Sequence, residues 1–229
     1  MDSMLHLGPF TILDGIGLAV LMALFFASGW LSEHPPANRP SVSVLMERHR
    51  RDWMVEFVTR QPRIFDATIL DSLRQGTAFF ASASMIAIGG GVALIGNTQR
   101  LESLASDLSL QAVAVLLEVK IILILAFLAN ALLKFIWAHR LFGYCSILMA
   151  AVPNDITNPA ALPRAAQAGE INITAARSFN RGLRSIYFAL AALGWLLGPW
   201  VLVVTSVAAA GVLLRREFWS HSRQVMLGL

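Results

Sequence analysis

An all-α polytopic membrane protein is the fold class that this sequence predicts, on three observations. Of the 229 residues, 56% are hydrophobic and only 14% are charged, where soluble domains carry about 25% charged residues. Long runs without Asp, Glu, Lys or Arg recur along the chain, each near the roughly 20 residues a helix needs to cross a core of about 30 Å. The lysines and arginines gather in two of the stretches between those runs, as they do in cytoplasmic loops. Four transmembrane helices are expected, at about 11–32, 75–97, 113–138 and 186–212, in one integral membrane domain over 1–229. The net charge of +4 then points to the lipid bilayer and its anionic phospholipid headgroups as partners, not to nucleic acid.

The first segment is free of charge over 15–32, between Asp14 and Glu33. Residues 1–38 hold no Lys or Arg, and "FFASGWLSEHPP" lacks a small-x-small cleavage site. A retained helix is therefore expected rather than a signal peptide, which begins with a basic region. The loop 33–74 opens with the turn-like "EHPPANRP". Val42, Met46, Trp53 and Phe57 then fall at helical spacing, so 41–60 reads as an amphipathic helix that Pro62 interrupts. "RIFDATILDSLRQG" continues as helix into the second segment, charge-free over 75–99.

The third apolar run, from Gln111 to Val152, is broken by charges. Its tail, 141–152, is too short to span and is expected to extend the third helix into the cytoplasm. "AAVPNDITNPAALPR" is punctuated by Pro and Asn as a loop is. "AAQAGEINITAARSFNRGLRS" feeds the fourth segment as helix, making 139–184 the second helical loop. The fourth segment is charge-free for 30 residues, 185–214. That length allows tilt, and Pro199 predicts a kink.

Threading follows from the basic residues. The loop 33–74 holds seven and the stretch 134–184 holds six. On the other side stand Arg100, then Arg215, Arg216 and Arg223 after the fourth segment. Thirteen against four puts both loops in the cytoplasm and both termini outside, in a bacterial inner membrane.

Polar residues inside the third segment are the first candidate site: Glu118, Lys120, Asn130 and Lys134. Only 13 uncharged residues separate the two lysines, about 20 Å of helix, so at least one charge starts at hydrocarbon depth. Glu118 and Lys120 stand i,i+2 and point away from each other, while the side chains of a helix lean toward its N-terminus. Both therefore reach the outer surface by snorkelling. Asn130 and Lys134 lie i,i+4 on one face and lean into the bilayer, so theirs is the polarity without that explanation. Asp71 or Asp66 is the expected partner of a buried Lys134.

A stripe of Ala78, Ser82, Gly89, Ala93 and Gly96, widened by Gly90 and Gly91, runs along the second segment. Such a face serves packing within the subunit, a subunit interface or a pore lining. Gly194-x-x-x-Gly198 is a weaker instance. Arg177, Arg181 and Arg184, at i, i+4 and i+7, form a basic stripe ahead of the fourth segment, suited to lipid headgroups or to a specific phosphate. Asn172-Ile-Thr174 matches a glycosylation acceptor but falls on the expected cytoplasmic side.

The five histidines are scattered, Cys145 is the sole cysteine, and no metal-ligand spacing, glycine-rich phosphate loop or nucleophile motif occurs. Neither an enzyme nor a bound cofactor is expected. "RIFDATILDSLRQGTAFFASASMIAIGG" and "SFNRGLRSIYFALAALGWLLGPW", followed by "RREFWS", resemble the bacterial and plant membrane-protein family catalogued as domain of unknown function 599. That resemblance implies an integral membrane protein and supplies no reaction or ligand. The function expected from the residues themselves is a homo-oligomeric channel or transport-type protein, with an accessory subunit of a larger membrane complex as the alternative.

Overall fold

A computed structural model describes residues 6–7, 10–97, 103 and 114–228. Two short antiparallel strands, β1 (His6–Leu7) and β2 (Phe10–Thr11), lead into helix α1, Ile12–Glu33. Thr11 and Asp14 close a capping box there, each satisfying a backbone N–H of the other. Ser41 caps α2 (Val42–Thr59) and also donates to the Ser32 carbonyl at 2.7 Å, which ties the two helix ends together. Then come α3 (Ile64–Ile95), α4 (Ala114–Ala150), α5 (Ala161–Leu197), α6 (Pro199–Phe218) and the short α7 (His221–Met226). Three of these segments, Ile12–Glu33, Ile64–Ile95 and Leu117–Ala150, are long and apolar enough to cross a membrane.

The fourth predicted span, 186–212, is corrected. It is two helices lying back to back, not one helix with a kink. Gly198 adopts φ 135° and ψ 166°, open only to glycine, and Pro199 starts α6 at a position that needs no N–H donor. Across the resulting hairpin the Thr205 hydroxyl donates to the Ala191 carbonyl at 2.7 Å, and Arg216 donates to the Tyr187 hydroxyl at 2.5 Å. Gly194 allows the close approach: a Cβ there would stand 2.5 Å from Thr205 Oγ1. The uncharged length that suggested tilt is thus spent on a reversal.

Helices α4 and α5 pack antiparallel along most of their length, and the other helices lean on that pair. At one end Leu21, Ile124, Phe127, Phe188, Trp195 and Leu202 form a core between α1, α4, α5 and α6. At the other, Met54, Phe57, Leu70, Phe142, Cys145 and Ala168 form a second core between α2, α3, α4 and α5. Tail 141–152 therefore does continue its helix, unbroken to Ala150, and packs inward. The amphipathic α2 turns Met54, Phe57 and Val58 inward, with Trp53 half-buried, while Val42 and Met46 stay partly exposed.

Helix α3 rests on α4 through one heptad line. Leu70, Thr77 and Ser84 are buried, and the next member, Gly91, admits Leu125, whose Cδ2 would stand 2.5 Å from a Cβ. Thr77 also reaches His139 Nδ1 at 3.2 Å. The predicted stripe occupies a different face. Ala78, Ser82, Gly89, Ala93 and Gly96 are exposed, and a Cβ on Gly89 or Gly90 would meet nothing within 4 Å. Among the described residues only the widening member Gly91 packs on a neighbouring helix; the five stripe positions themselves stay open.

The two ends of the bundle are distinct. Gly17 of α1 lies against Pro199 and Leu202, so the α5–α6 turn is level with the start of α1. Glu217 accepts from the Ser43 N–H and hydroxyl, both at 2.9 Å, and Arg223 donates to the Pro40 carbonyl. The far end of α6 is therefore level with the end of α1.

Candidate functional site

The basic stripe of α5 is where the helices are tied together. Arg177 makes a two-pronged pair with Glu47 of α2, at 2.7 and 2.8 Å. One turn on, Arg181 holds Glu33 of α1 the same way, at 2.9 and 2.5 Å. Arg184 reaches the same carboxylate at 3.5 Å, and its guanidinium lies over Phe25, 5.6 Å from the ring centroid. It fills the space a side chain at position 29 would take: a Cβ would sit 2.5 Å from Arg184 Cζ, so a larger residue there would displace the guanidinium. The Arg184 Nε is buried and unpartnered among the described residues. The hydrogen bond to Glu33 holds the Arg181 guanidinium above its ordinary pKa.

The stripe thus divides. Arg177 belongs to the α2 contact, where burial holds Arg50 below its ordinary range. Arg50 donates to Asn172, which is fully buried and also reaches Cys145 Sγ at 3.6 Å. That burial removes Asn172 from consideration as a glycan acceptor. Arg181 and Arg184 instead line a cleft together with Asn130 and Lys134 of α4. Asn130 Nδ2 donates to Ser185 Oγ at 2.7 Å, and Ser178 donates to the Lys134 carbonyl at 3.0 Å. Asn130 is therefore a polar tie between α4 and α5.

Lys134, Arg181 and Arg184 line one cleft of about 380 Å³ between α1, α4 and α5, with Glu33, Phe26 and Trp30 opposite. Lys134 forms no ion pair among the described residues. The carboxylates expected for it are engaged elsewhere: Asp66 by Arg60 and Trp53, Asp71 by Gln75. Three cations thus face one carboxylate, which two of them share.

At the opposite end Lys120 does not reach outward. It is 8% exposed, with its ammonium 5.7 Å from the centroid of Trp195. Trp195 donates to Asp14 at 2.7 Å, and the Asp14 carboxylate is the opposite charge that Lys120 faces. Glu118 is partly exposed, and its carboxylate makes no hydrogen bond with described residues. Sequence reading missed Asp14, Glu33 and Glu47. The available signal was that the only two carboxylates bounding the first segment stand at its two edges, where a membrane helix finds cationic partners.

A larger cavity of about 470 Å³ lies under α2, lined by Arg50, Arg177, Arg216, Glu47 and Glu217. Arg177 and Glu47 pair with each other there, while Glu217, Arg50 and Arg216 are hydrogen-bonded to Ser43, Asn172 and Tyr187. Among the described residues no group of three His, Cys, Asp or Glu is placed to hold a metal ion.

Long apolar helices, polar ties between them and arginines gathered at one end define an α-helical protein of the membrane class. The family of proteins of unknown function DUF599 matches residues 16–222, and the chain belongs to it. No curated protein and no solved structure matches the chain.

Proposed function

We propose that the protein is a homo-oligomeric, channel- or transport-type protein of the bacterial inner membrane, in which α3 meets a neighbouring subunit. One observation carries the reading: the apolar length of α3 is only 6% buried, against 28% for α1 and 33% for α4. The face left open bears Ala78, Ser82, Gly89, Ala93 and Gly96. Small residues let two helix backbones approach closely in lipid, where packing replaces the hydrophobic drive. Leu21, Phe127, Phe188 and Leu202 fill the bundle core, which favours a path between subunits over one through a single subunit.

In this reading the chain crosses five times, through α1, α3, α4, the last part of α5, and α6. Both loops and the end of α6 then lie in the cytoplasm, and the start of α1 lies outside. The charge pattern supports that threading. Seven, six and three basic residues, sixteen of the eighteen, fall on the cytoplasmic side, leaving Arg100 outside and Lys120 within the bundle.

The test is the mass of the purified protein in nanodiscs, with ion flux in liposomes. A defined multimer is expected, and Gly90→Leu, at a position where an added Cβ meets nothing within 4 Å, should shift it toward monomer without unfolding it. A strict monomer without flux would sink the proposal. The same open face also suits an accessory subunit packed on a different membrane protein. Co-purification from native membranes distinguishes the two, and recovery of the chain alone at every detergent strength counts against the accessory role.

A further inference from the structure

We infer that the cleft between α1, α4 and α5 binds the phosphate of an anionic phospholipid from the cytoplasmic leaflet. The inference rests on the membrane reading and its threading, and is independent of whether subunits associate through α3.

Charge comes first. Lys134, Arg181 and Arg184 line the cleft and Glu33 is the single carboxylate among them. The single negative charge of Glu33 is already shared by the two arginines, so it does not also neutralise Lys134. An anion entering the cleft therefore meets an uncompensated ammonium beside guanidinium groups held in place. Arg181 keeps 44% of its side chain exposed even while paired, so its outer edge remains open to a ligand.

Position selects the source of the phosphate. The cleft lies where α1 ends and, on α4, at Lys134, the first charged residue after 13 uncharged ones. That is headgroup depth at the cytoplasmic surface, where basic pockets between membrane helices take acidic lipids. Its rim carries Trp30, 66% exposed, and Phe26, 62% exposed. Aromatic side chains of this kind sit at the membrane–water boundary. Phe25 and Phe26 line the same cleft toward the hydrocarbon, so one molecule with a phosphate and acyl chains satisfies both halves. A free phosphate would leave the aromatic half unused. A zwitterionic lipid would bring an ammonium into a cleft already in cationic excess. Phosphatidylglycerol or cardiolipin is the fitting occupant.

The probe is lipid retained on the purified full-length protein by native mass spectrometry, after reconstitution with equal phosphatidylglycerol and phosphatidylcholine. Phosphatidylglycerol should be retained preferentially. Lys134→Gln and Arg181→Gln should each lower that preference about fivefold, as expected for one cation near an anionic headgroup. Arg140→Gln removes the same charge from an exposed position on α4, where Arg140 holds the Tyr144 hydroxyl, and should leave the preference intact. Equal retention of the two lipids, or equal loss in all three variants, overturns the inference. Displacement of the lipid by millimolar inorganic phosphate would assign the cleft to a free anion and overturn the lipid source. A second measurement starts from the wild-type protein. Brominated phosphatidylglycerol should quench wild-type tryptophan fluorescence more than brominated phosphatidylcholine, and Trp30→Phe should remove that excess. No excess in the wild type overturns the inference independently.

Discussion

At the scale of single residues, charge does two different jobs here, and burial decides between them. Arg51 and Glu170 pair at 2.7 Å, but both side chains are more than half exposed. Water and salt screen such a pair, so Arg51→Gln should change stability by less than about 1 kcal/mol. Glu33 keeps only 21% of its side chain exposed and answers two arginines, one of them 16% exposed. Replacing it leaves both cations against each other in a poorly solvated site. Glu33→Gln should therefore cost about 1–3 kcal/mol, between the ranges for exposed and buried pairs. Thermal unfolding in one detergent measures both variants, and equal losses would refute the distinction. Much of this was hidden from sequence for a simple reason. Asn130 and Lys134 declared themselves by standing in an apolar run, but their setting is built by Ser185, Arg181 and Glu33, between 47 and 101 positions away. Helical periodicity places a residue on a face; it does not say which helix that face meets.

At the scale of elements, existence was legible and number was not. The apolar runs of α1, α3 and α4, the amphipathic α2 and the helical approach of α5 all follow from periodicity and charge. The run 185–214 misled because its turn carries no charged residue and no loop-like polar cluster. Inside a bundle a tight reversal needs neither. Gly198 supplies the backbone angle, Pro199 the helix start, and Thr205 the bond across. Gly198 is consequently the position on which the hairpin turns. Gly198→Ala forces a Cβ into backbone angles that L-residues avoid, and should cost about 1–3 kcal/mol. Gly211 lies within α6, where an added Cβ would meet nothing within 4 Å. Gly211→Ala should therefore be neutral or slightly stabilising through helix propensity. Paired melting curves check the contrast, and two equal shifts would mean that the reversal does not depend on Gly198.

At the scale of the whole molecule, one hairpin changes where the chain ends. Counting 186–212 as a single span sends Arg215, Arg216 and Arg223 to the outer side, against the trend of every other loop. Two antiparallel helices return them to the side of Arg177 and Arg181, and the contacts agree: Glu217 meets Ser43, and Arg223 meets Pro40. Local geometry and the positive-inside bias then point the same way, although neither was derived from the other. Reporter fusions separate the two threadings. With five crossings, a fluorescent protein that matures only in the cytoplasm should glow when joined after Leu229, and alkaline phosphatase joined there should be inactive. An added cysteine ahead of α1 should react with a membrane-impermeant maleimide in intact spheroplasts, while one at Asn158, in the turn before α5, should react only after lysis. Active phosphatase at the C-terminus would restore an even number of crossings and would require the chain through α5 and α6 to leave the membrane on the side opposite to the one it entered. The cleft at Lys134 would keep its shape in that case, because Glu33, Arg181 and Arg184 hold it without help from α6.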